Sequence, residues 1–338
     1  MSLVCPLGAI DHGLADQLDI TWGDPDAWTA EGLHWTHLPQ VRAAINRKVS
    51  GAAEVSPLRW FFQAVAAEQP LPLNRVLVLG CGSGTLEREI AQAGWAREIV
   101  AIDLSAKVLA VAQAQAQAEG LEGIRYFQAD MNRLPVGQPP FTPGSFDAVL
   151  GVSSVHHCAN LALLYRHIGL LLAPHGWFFL DEYVGPDQFQ WPDSQIRQLN
   201  RLAELLPERL MTLRNGSCKR HFRRPSVAEV VAVDPSEAIC SSRLLPLLPD
   251  YFSQVQVRPY GGAILHMLLA GVAQNFADAT AEPYLRSLMA AEDELYRAGQ
   301  LPHDFACVMA RSPASAPCWT MASLFSSNRW RPRAKAAP

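Results

Sequence analysis

The chain has 338 residues, 49% of them hydrophobic, and a formal net charge of −4. This length and apolar content allow a large buried core in one or two domains, and the slight negative charge disfavours a nucleic-acid partner. The most apolar stretch, residues 263–273, is too short to span a membrane, and the N-terminus lacks the features of a secretory signal.

The first seventy residues predict a helical N-terminal cap. Leu38, Val41, Ile45 and Val49 recur at helical spacing. We interpret this cap, residues 1–70, as packing on the core. The alternative is that it also closes an active site.

Residues 71–184 alternate between strand and helix patterns. We predict strands over 75–79, 98–103, 124–129, 146–152 and 176–182, and helices over 85–93, 106–119 and 161–172. Ser105 is a suitable N-cap for the second of these helices, and Gly120 is a suitable stop. Such alternation implies an α/β fold with a doubly wound, largely parallel sheet and right-handed crossovers.

The regular alternation of strand and helix patterns stops after residue 184 and resumes at residue 251. Residues 185–250 mix prolines, a basic run and the predicted helices 194–206 and 226–231, so we predict an insertion or substrate lid after the fifth strand. Residues 251–311 complete the core, with strands over 252–260 and 304–311 and helices over 265–276 and 283–298. The segment 312–338 is rich in Ala, Ser, Pro and Arg and predicts a disordered tail.

The seven cysteines give no pattern of their own. They are scattered, odd in number and contain no CxxC pair. We therefore expect reduced thiols in a cytoplasmic protein and predict neither a disulfide framework nor a metal site.

A glycine-rich turn follows the first core strand. Gly80, Gly82 and Gly84 leave bare main chain beside the first N–H groups of the next helix, an arrangement that binds the polar part of a nucleotide-like cofactor. Asp103, nineteen residues after Gly84, is placed to accept hydrogen bonds from ribose hydroxyls. Alternatively, Asp103 is an aspartate at a helix N-terminus that interacts favourably with the helix dipole. Asp130 is placed for an adenine amino group, or is a solvated loop aspartate.

Four segments, VLVLGCGSG, AIDLS, QADMNRLP and FDAVLGVSSVHHC, occur in this order between residues 75 and 182. In them the chain resembles the class I S-adenosylmethionine (SAM)-dependent methyltransferases. The resemblance implies a Rossmann-like seven-stranded sheet with its last strand inserted antiparallel, and SAM as the cofactor. It implies cofactor contacts from Gly80, Cys81, Gly82, Gly84, Asp103, Leu104, Asp130, Met131 and Val152.

The chain departs from this family at one place. Val78 stands where relatives commonly carry an acidic residue that helps to hold the methionine amino group. Main-chain carbonyls or the N-terminal cap are the alternatives for that contact. A nicotinamide-dependent dehydrogenase is disfavoured because Thr85 replaces the third glycine of its fingerprint.

Polar residues follow the fourth and fifth strands, where a doubly wound sheet places an acceptor. We predict His157, His156 and Asp181 as catalytic, because an imidazole is a well-matched base near neutral pH. A structural or cofactor-cradling role for the two histidines remains open, as does a capping or ion-pairing role for Asp181 and Glu182. Predicted substrate contacts are Glu182, Tyr183, Arg223, Arg224 and Tyr260.

Three of these substrate contacts, Tyr183, Arg223 and Arg224, have an ordinary structural alternative. Tyr183 is also typical of a packed aromatic residue. The basic run 219–224, KRHFRR, is either a solvated loop or a clamp for an anionic acceptor.

The resulting hypothesis is a SAM-dependent methyltransferase that methylates an oxygen or nitrogen of a small molecule, such as a metabolite, natural product or saccharide unit. The alternatives are SAM-dependent transfer of another group or cyclisation, and a SAM-binding partner protein without turnover. The sequence leaves the oligomeric state open.

Overall fold

The computed structural model describes residues 6–24 and 32–312. Its centre is one seven-stranded sheet in the order β3-β2-β1-β4-β5-β7-β6. The strands are β1 Leu73–Leu79, β2 Ala96–Asp103, β3 Ile124–Gln128, β4 Phe146–Val152, β5 Leu172–Tyr183, β6 Ser253–Gly261 and β7 Phe305–Arg311. Strands β1 to β5 pair in parallel, whereas β7 lies antiparallel between β5 and β6. The predicted α/β fold with an inserted antiparallel last strand is confirmed.

Helices cover both faces of the sheet, as right-handed crossovers between parallel strands require. The helices are α1 His12–Thr21, α2 Pro39–Ser50, α3 Pro57–Glu68, α4 Thr85–Gln92, α5 Ala106–Ala118, α6 Leu161–Leu171, α7 Asp193–Glu204, α8 Val227–Val233, α9 Leu244–Tyr251, α10 Leu265–Leu269 and α11 Glu282–Arg297. Helices α1 to α3 lie within the predicted cap, and α7 to α9 begin within the predicted insertion. The predicted disordered tail, apart from residue 312, lies outside the described residues.

The apolar run of β1 is buried on both faces of the sheet. Leu77 packs in one cluster with Tyr165 and Phe178, while Val78 packs in another with Phe61 of α3. Because successive strand residues point to opposite faces, a continuous Val/Leu run is what a strand covered on both sides requires. The same packing explains Val78, which is 1% exposed in an apolar cluster that would not accommodate an unpaired carboxylate.

One helix prediction is wrong. Residues 265–276 form two short pieces, α10 and a 3₁₀ turn at Ala273–Phe276. Gly271 between them has φ +74°, a left-handed conformation that ends a helix. The apolar periodicity continues through this break because both pieces pack into the same core.

No helix in the described ranges is both long and apolar enough to cross a membrane.

Candidate active site

The glycine turn after β1 is shaped by left-handed backbone. Gly80, Gly82 and Gly84 have φ of +60°, +52° and +76°. A Cβ on Gly82 would meet no atom within 4 Å, so open space faces this residue. By contrast, a Cβ on Gly84 would lie 2.6 Å from the Tyr126 hydroxyl. The turn therefore leaves open space beside the half-buried Gly82 and packs closely at Gly84, an arrangement suited to a cofactor's polar end.

Asp103 is fixed beneath this turn. Its Oδ2 accepts a hydrogen bond from the Gly82 N–H at 3.0 Å, and its Oδ1 accepts from the Ser105 N–H at 2.9 Å. Burial raises the pKa of this carboxyl above its usual range, an effect that these N–H groups oppose. Cys81, buried beside it, donates its N–H to Ile102 O at 2.9 Å. Asp103, the residue predicted to contact the ribose, is thus held in place by the glycine turn.

The predicted adenine side is formed after β3. Asp130 is 5% exposed, and its Oδ1 accepts from the Asn132 N–H at 2.8 Å, which caps a 3₁₀ turn at Met131–Arg133. The Met131 Cε lies 3.3 Å from the position of a Cβ built on Gly80. Leu104 is half-buried and accepts from Gln128 Nε2 through its carbonyl. These residues line the same edge as the glycine turn.

The loop after β4 is tied to the end of β1. Ser153 has φ +49°, a strained conformation for a non-glycine residue, and its N–H donates to Asp181 O. Ser154 then donates its hydroxyl to Leu79 O at 2.7 Å. A Cβ on Gly80 would lie 2.5 Å from the Ser154 Cβ, so only glycine allows these two loops to approach so closely. Val152, half-buried, ends the strand beside them.

Glu182 organises the first histidine. Its Oε1 accepts from the N–H groups of Ser154 and Val155 at 2.8 and 2.7 Å, and its Oε2 accepts from His156 Nδ1 at 2.7 Å. Burial disfavours the charged imidazole, but the carboxylates of Glu182, Glu237 and Asp234 together outweigh it and raise the pKa of His156 above its usual value. Because Glu182 is 1% exposed and fully engaged, it positions His156 rather than contacting an acceptor.

The second histidine faces the insertion. His157 Nδ1 lies 3.0 Å from Ser236 Oγ, and Ser236 Oγ donates to Asp234 Oδ1 at 2.6 Å. Burial, followed by the neighbouring His156, lowers the pKa of His157 well below its usual value. Because a ring with a low pKa binds a proton only weakly, His157 is a poor candidate for the general base.

Glu237 stands opposite both rings. One of its oxygens lies 3.5 Å from His156 Nε2 and the other 3.9 Å from His157 Nε2. Burial raises the pKa of Glu237, while His156 opposes this shift. Sequence reasoning did not identify Glu237, because it lies some eighty positions after the histidines on an irregular segment.

Asp181 and Tyr260 form a separate pair. The Tyr260 hydroxyl donates to Asp181 Oδ1 at 2.8 Å across β5 and β6. Burial raises the pKa of Asp181 to about 6, against the stabilising effect of that hydrogen bond. Tyr183 is 3% exposed and donates its hydroxyl to Pro186 O, so the structure places it as a packed aromatic residue.

Arg223 and Arg224 are engaged at the surface. Arg223 pairs with Glu229 of α8, and Arg224 pairs with Asp193 of α7. Their side chains are 65% and 37% exposed. In the described part of the chain, no hydrogen bond or ion pair joins either guanidinium to the histidines, which matches the solvated-loop interpretation.

Sequence reasoning also missed Glu87 in the first turn of α4. Its side chain is fully buried, and neither carboxyl oxygen has a hydrogen-bond partner. Burial raises the pKa of Glu87 from 4.5 to about 8. The nearest signal was its place on the apolar face of α4, one turn after Gly84.

Helix α1 contacts both halves of this edge. Ser105 at the start of α5 donates its hydroxyl to Asp19 Oδ1 at 2.5 Å, and Trp22 Nε1 donates to Asp234 Oδ2 at 2.7 Å. The Trp22 ring also meets His157 edge-on, with centroids 6.1 Å apart. The cap thus reaches the cofactor-side helix and the insertion together.

Comparison with known proteins identifies a methyltransferase domain in this chain. Residues 76–176 match the methyltransferase domain. The ubiquinone biosynthesis O-methyltransferase of Xanthomonas campestris pv. campestris is 31% identical over 156 residues, which are 45% of this chain and 62% of that protein. The demethylmenaquinone methyltransferase of Thermus thermophilus is 31% identical over 142 residues, which are 42% of this chain and 60% of that protein. This chain therefore spans a little under two thirds of the length of these relatives.

Among solved structures, the cyclase SpnF superposes with a TM-score of 0.51 at 18% identity, over 92% of this chain and 99% of that one. This likeness concerns the fold alone. The family match shows that residues 76–176 are a methyltransferase domain, for which SAM is the cofactor, as the four sequence segments imply.

Proposed function

We propose that this protein is a cytoplasmic methyltransferase that moves the methyl group of SAM to an oxygen or nitrogen of a small molecule. The observation that carries the proposal is the meeting, at one edge of the sheet, of an open glycine cradle and a buried, carboxylate-positioned histidine. The similarity to an O-methyltransferase of quinone biosynthesis favours oxygen over nitrogen.

The chemistry asks mainly for alignment. SAM supplies a methyl group on a positively charged sulfur, which is already a good leaving group. The protein then has to hold the acceptor in line with that methyl and keep water away. A hydroxyl acceptor additionally needs to lose its proton.

On the cofactor side, we assign Gly80, Gly82 and Asp103 to the methionine and ribose parts, and Asp130 and Met131 to the adenine. Support comes from the open space at Gly82 and from the hydrogen bond that holds Asp103 against the turn. With Val78 in an apolar cluster, the methionine amino group is left to main-chain carbonyls of the turn.

On the acceptor side, we assign the proton-accepting role to the His156 edge rather than to Asp181. Asp181 already accepts the Tyr260 hydroxyl, whereas His156 Nε2 has only a 3.5 Å contact with Glu237. Residues 185–250 form the lid over this side, because Ser236 contacts His157 from that segment.

Titration calorimetry with SAM and with its demethylated product tests the cofactor assignment, and we expect both to bind. A screen with isotope-labelled SAM against phenols, enols, sugars and amines then tests transfer, with mass spectrometry identifying the methylated product. Absence of binding by both ligands contradicts the cofactor assignment. Binding without transfer to any acceptor class contradicts the catalytic assignment.

A further inference from the structure

The two histidine rings and Glu237 bring together three groups that are all able to ligate a metal. One ligand atom from each of His156, His157 and Glu237 lies within 4.8 Å of the others. His156 is buried, and the other two are half-buried. In the described residues this set combines two strand-four loop positions with one residue of the insertion.

The protons on the rings can be placed from their partners. His156 Nδ1 contacts the Glu182 carboxylate, which only accepts, so Nδ1 carries the hydrogen. Ser236 uses its single hydroxyl hydrogen on Asp234, so His157 Nδ1 must donate to Ser236 Oγ. In the neutral form of each ring, the lone pair then lies on Nε2, the atom nearest Glu237.

When both rings are neutral and Glu237 is ionised, three acceptor atoms therefore face one another. The distances from Glu237 to the two Nε2 atoms, 3.5 and 3.9 Å, are too long for strong hydrogen bonds. They are close to the separation of about 3.3 Å between neighbouring ligands of a tetrahedral zinc ion, which follows from bond lengths of about 2.0–2.2 Å. A cation at this point would satisfy all three groups.

The outer contacts are also those of a metal site. Metal-binding histidines usually donate their second N–H to a carboxylate or another fixed acceptor, which sets the tautomer and the ring direction. Glu182 does this for His156, and Ser236, backed by Asp234, does it for His157. This supporting shell is present on both rings.

We propose that His156, His157 and Glu237 form a binding site for a divalent transition-metal ion, with zinc the best match to two imidazoles and one carboxylate. Three protein ligands leave a coordination position open, as in catalytic rather than structural zinc sites. The site joins the insertion to the loop after β4.

A consequence for the substrate rests on the proposed function. The open position would take an acceptor oxygen, which favours a phenolic or enolic hydroxyl. With a metal bound, His156 Nε2 would be a ligand and would no longer accept the proton, so the O–H proton would leave to water. The oxygen lone pair then forms the C–O bond to the methyl carbon as the S–C bond breaks, and the sulfonium becomes a neutral thioether.

The test uses metal alone and does not need activity. The full chain is stripped with a chelator and titrated with Co²⁺ under visible spectroscopy, followed by displacement with Zn²⁺. We expect one equivalent of Co²⁺ to give the d–d bands of a low-coordinate site and Zn²⁺ to remove them. No bands, or bands unaffected by Zn²⁺, would overturn the proposal.

Variants locate the site. His156→Ala, His157→Ala and Glu237→Gln should each weaken Co²⁺ binding by about 100-fold or more, since loss of an outer contact alone costs about 10–100-fold. Glu204→Gln, at an exposed position at the end of α7, should bind as the parent does. Equal binding by Glu237→Gln and Glu204→Gln would overturn the proposal, because the metal would then lie elsewhere.

Two controls keep this result interpretable. Thermal unfolding of each stripped variant reports whether it folds, and Glu237→Gln preserves the shape of the side chain. SAM calorimetry on the stripped protein is independent of these ligands. Loss of SAM binding with Co²⁺ binding intact would defeat the proposed function alone, and the converse would defeat the metal site alone.

Discussion

Beside β1 and β2 the carboxyl edge of the sheet is lined by main chain and by side chains close in sequence, such as Gly82 and Asp103. Beside β4 and β5 it is lined by side chains from distant segments, with His157 meeting Ser236 across 79 positions. The half that we assign to the cofactor, around Gly82 and Asp103, is a local motif. The half that we assign to the acceptor, around His156 and His157, is complete only once residues 185–250 have packed. Gly82 and Asp103 lie within the segment that matches the methyltransferase domain, residues 76–176, whereas Ser236 lies outside it.

The largest expected effect lies at the centre of the acceptor half. Glu182→Ala leaves two buried N–H groups and a buried histidine without their acceptor, and should lower the free energy of unfolding by about 3–5 kcal/mol. Urea denaturation measures it. If Glu182→Ala unfolds like the parent, the acceptor half does not depend on this carboxylate.

The next effect lies in the cofactor half and depends on pH. Unfolded Glu87 ionises above pH 4.5, whereas the buried group keeps its proton to about pH 8, so the folded state loses stability as the pH rises between these values. Glu87→Gln should remove this slope and stabilise the cofactor-free protein by about 3 kcal/mol at pH 7. Denaturation from pH 4 to 9 tests this, and a parallel slope in both proteins would refute the buried carboxyl as its source.

A third change separates affinity from stability within the cofactor half. Asp103→Ala should weaken SAM binding by about 1–3 kcal/mol through loss of buried hydrogen bonds. Asp147→Ala is the matched control, because Asp147 also accepts two N–H groups, from Asn74 and Arg75, at the opposite end of the strands. Equal SAM affinities for the two variants in calorimetry would show that Asp103 serves only the turn.

The smallest effect is expected at the basic run. Arg223 and Arg224 pair with Glu229 and Asp193 at the surface, so replacing both arginines by alanine should change the acceptor KM by less than about twofold. Steady-state kinetics with the acceptor found in the labelled-SAM screen measure this. A large rise in KM with unchanged kcat would restore the anion clamp and extend the acceptor half to this loop.

Sequence reasoning succeeds where structure is local. The strands, the glycine turn and Ser105 as N-cap follow from periodicity, conformational preference and short-range hydrogen bonds, and strand β4 begins and ends where the pattern predicts. The failure at 265–276 has the same origin, since apolar spacing continues across Gly271 and reports burial rather than helix continuity.

The acceptor half could be predicted only in part, because its contacts join residues that are far apart in the sequence. His156 and Glu182 stand at strand ends and were identified from topology, but Glu237 and Asp234 reach the site through an insertion with no regular pattern. A search for metal ligands based on cysteine spacing does not detect the set His156, His157 and Glu237, which contains no cysteine. Only the fold reveals that these carboxylates meet the histidines.

The contact between Gly80 and Ser154 has a practical consequence for genetics. A methyl group added at Gly80 would push against the loop that carries both histidines, because its Cβ would lie 2.5 Å from that of Ser154. In a screen for inactive alleles, a lesion at Gly80 would map to the cofactor motif and yet behave as a defect in handling the methyl acceptor.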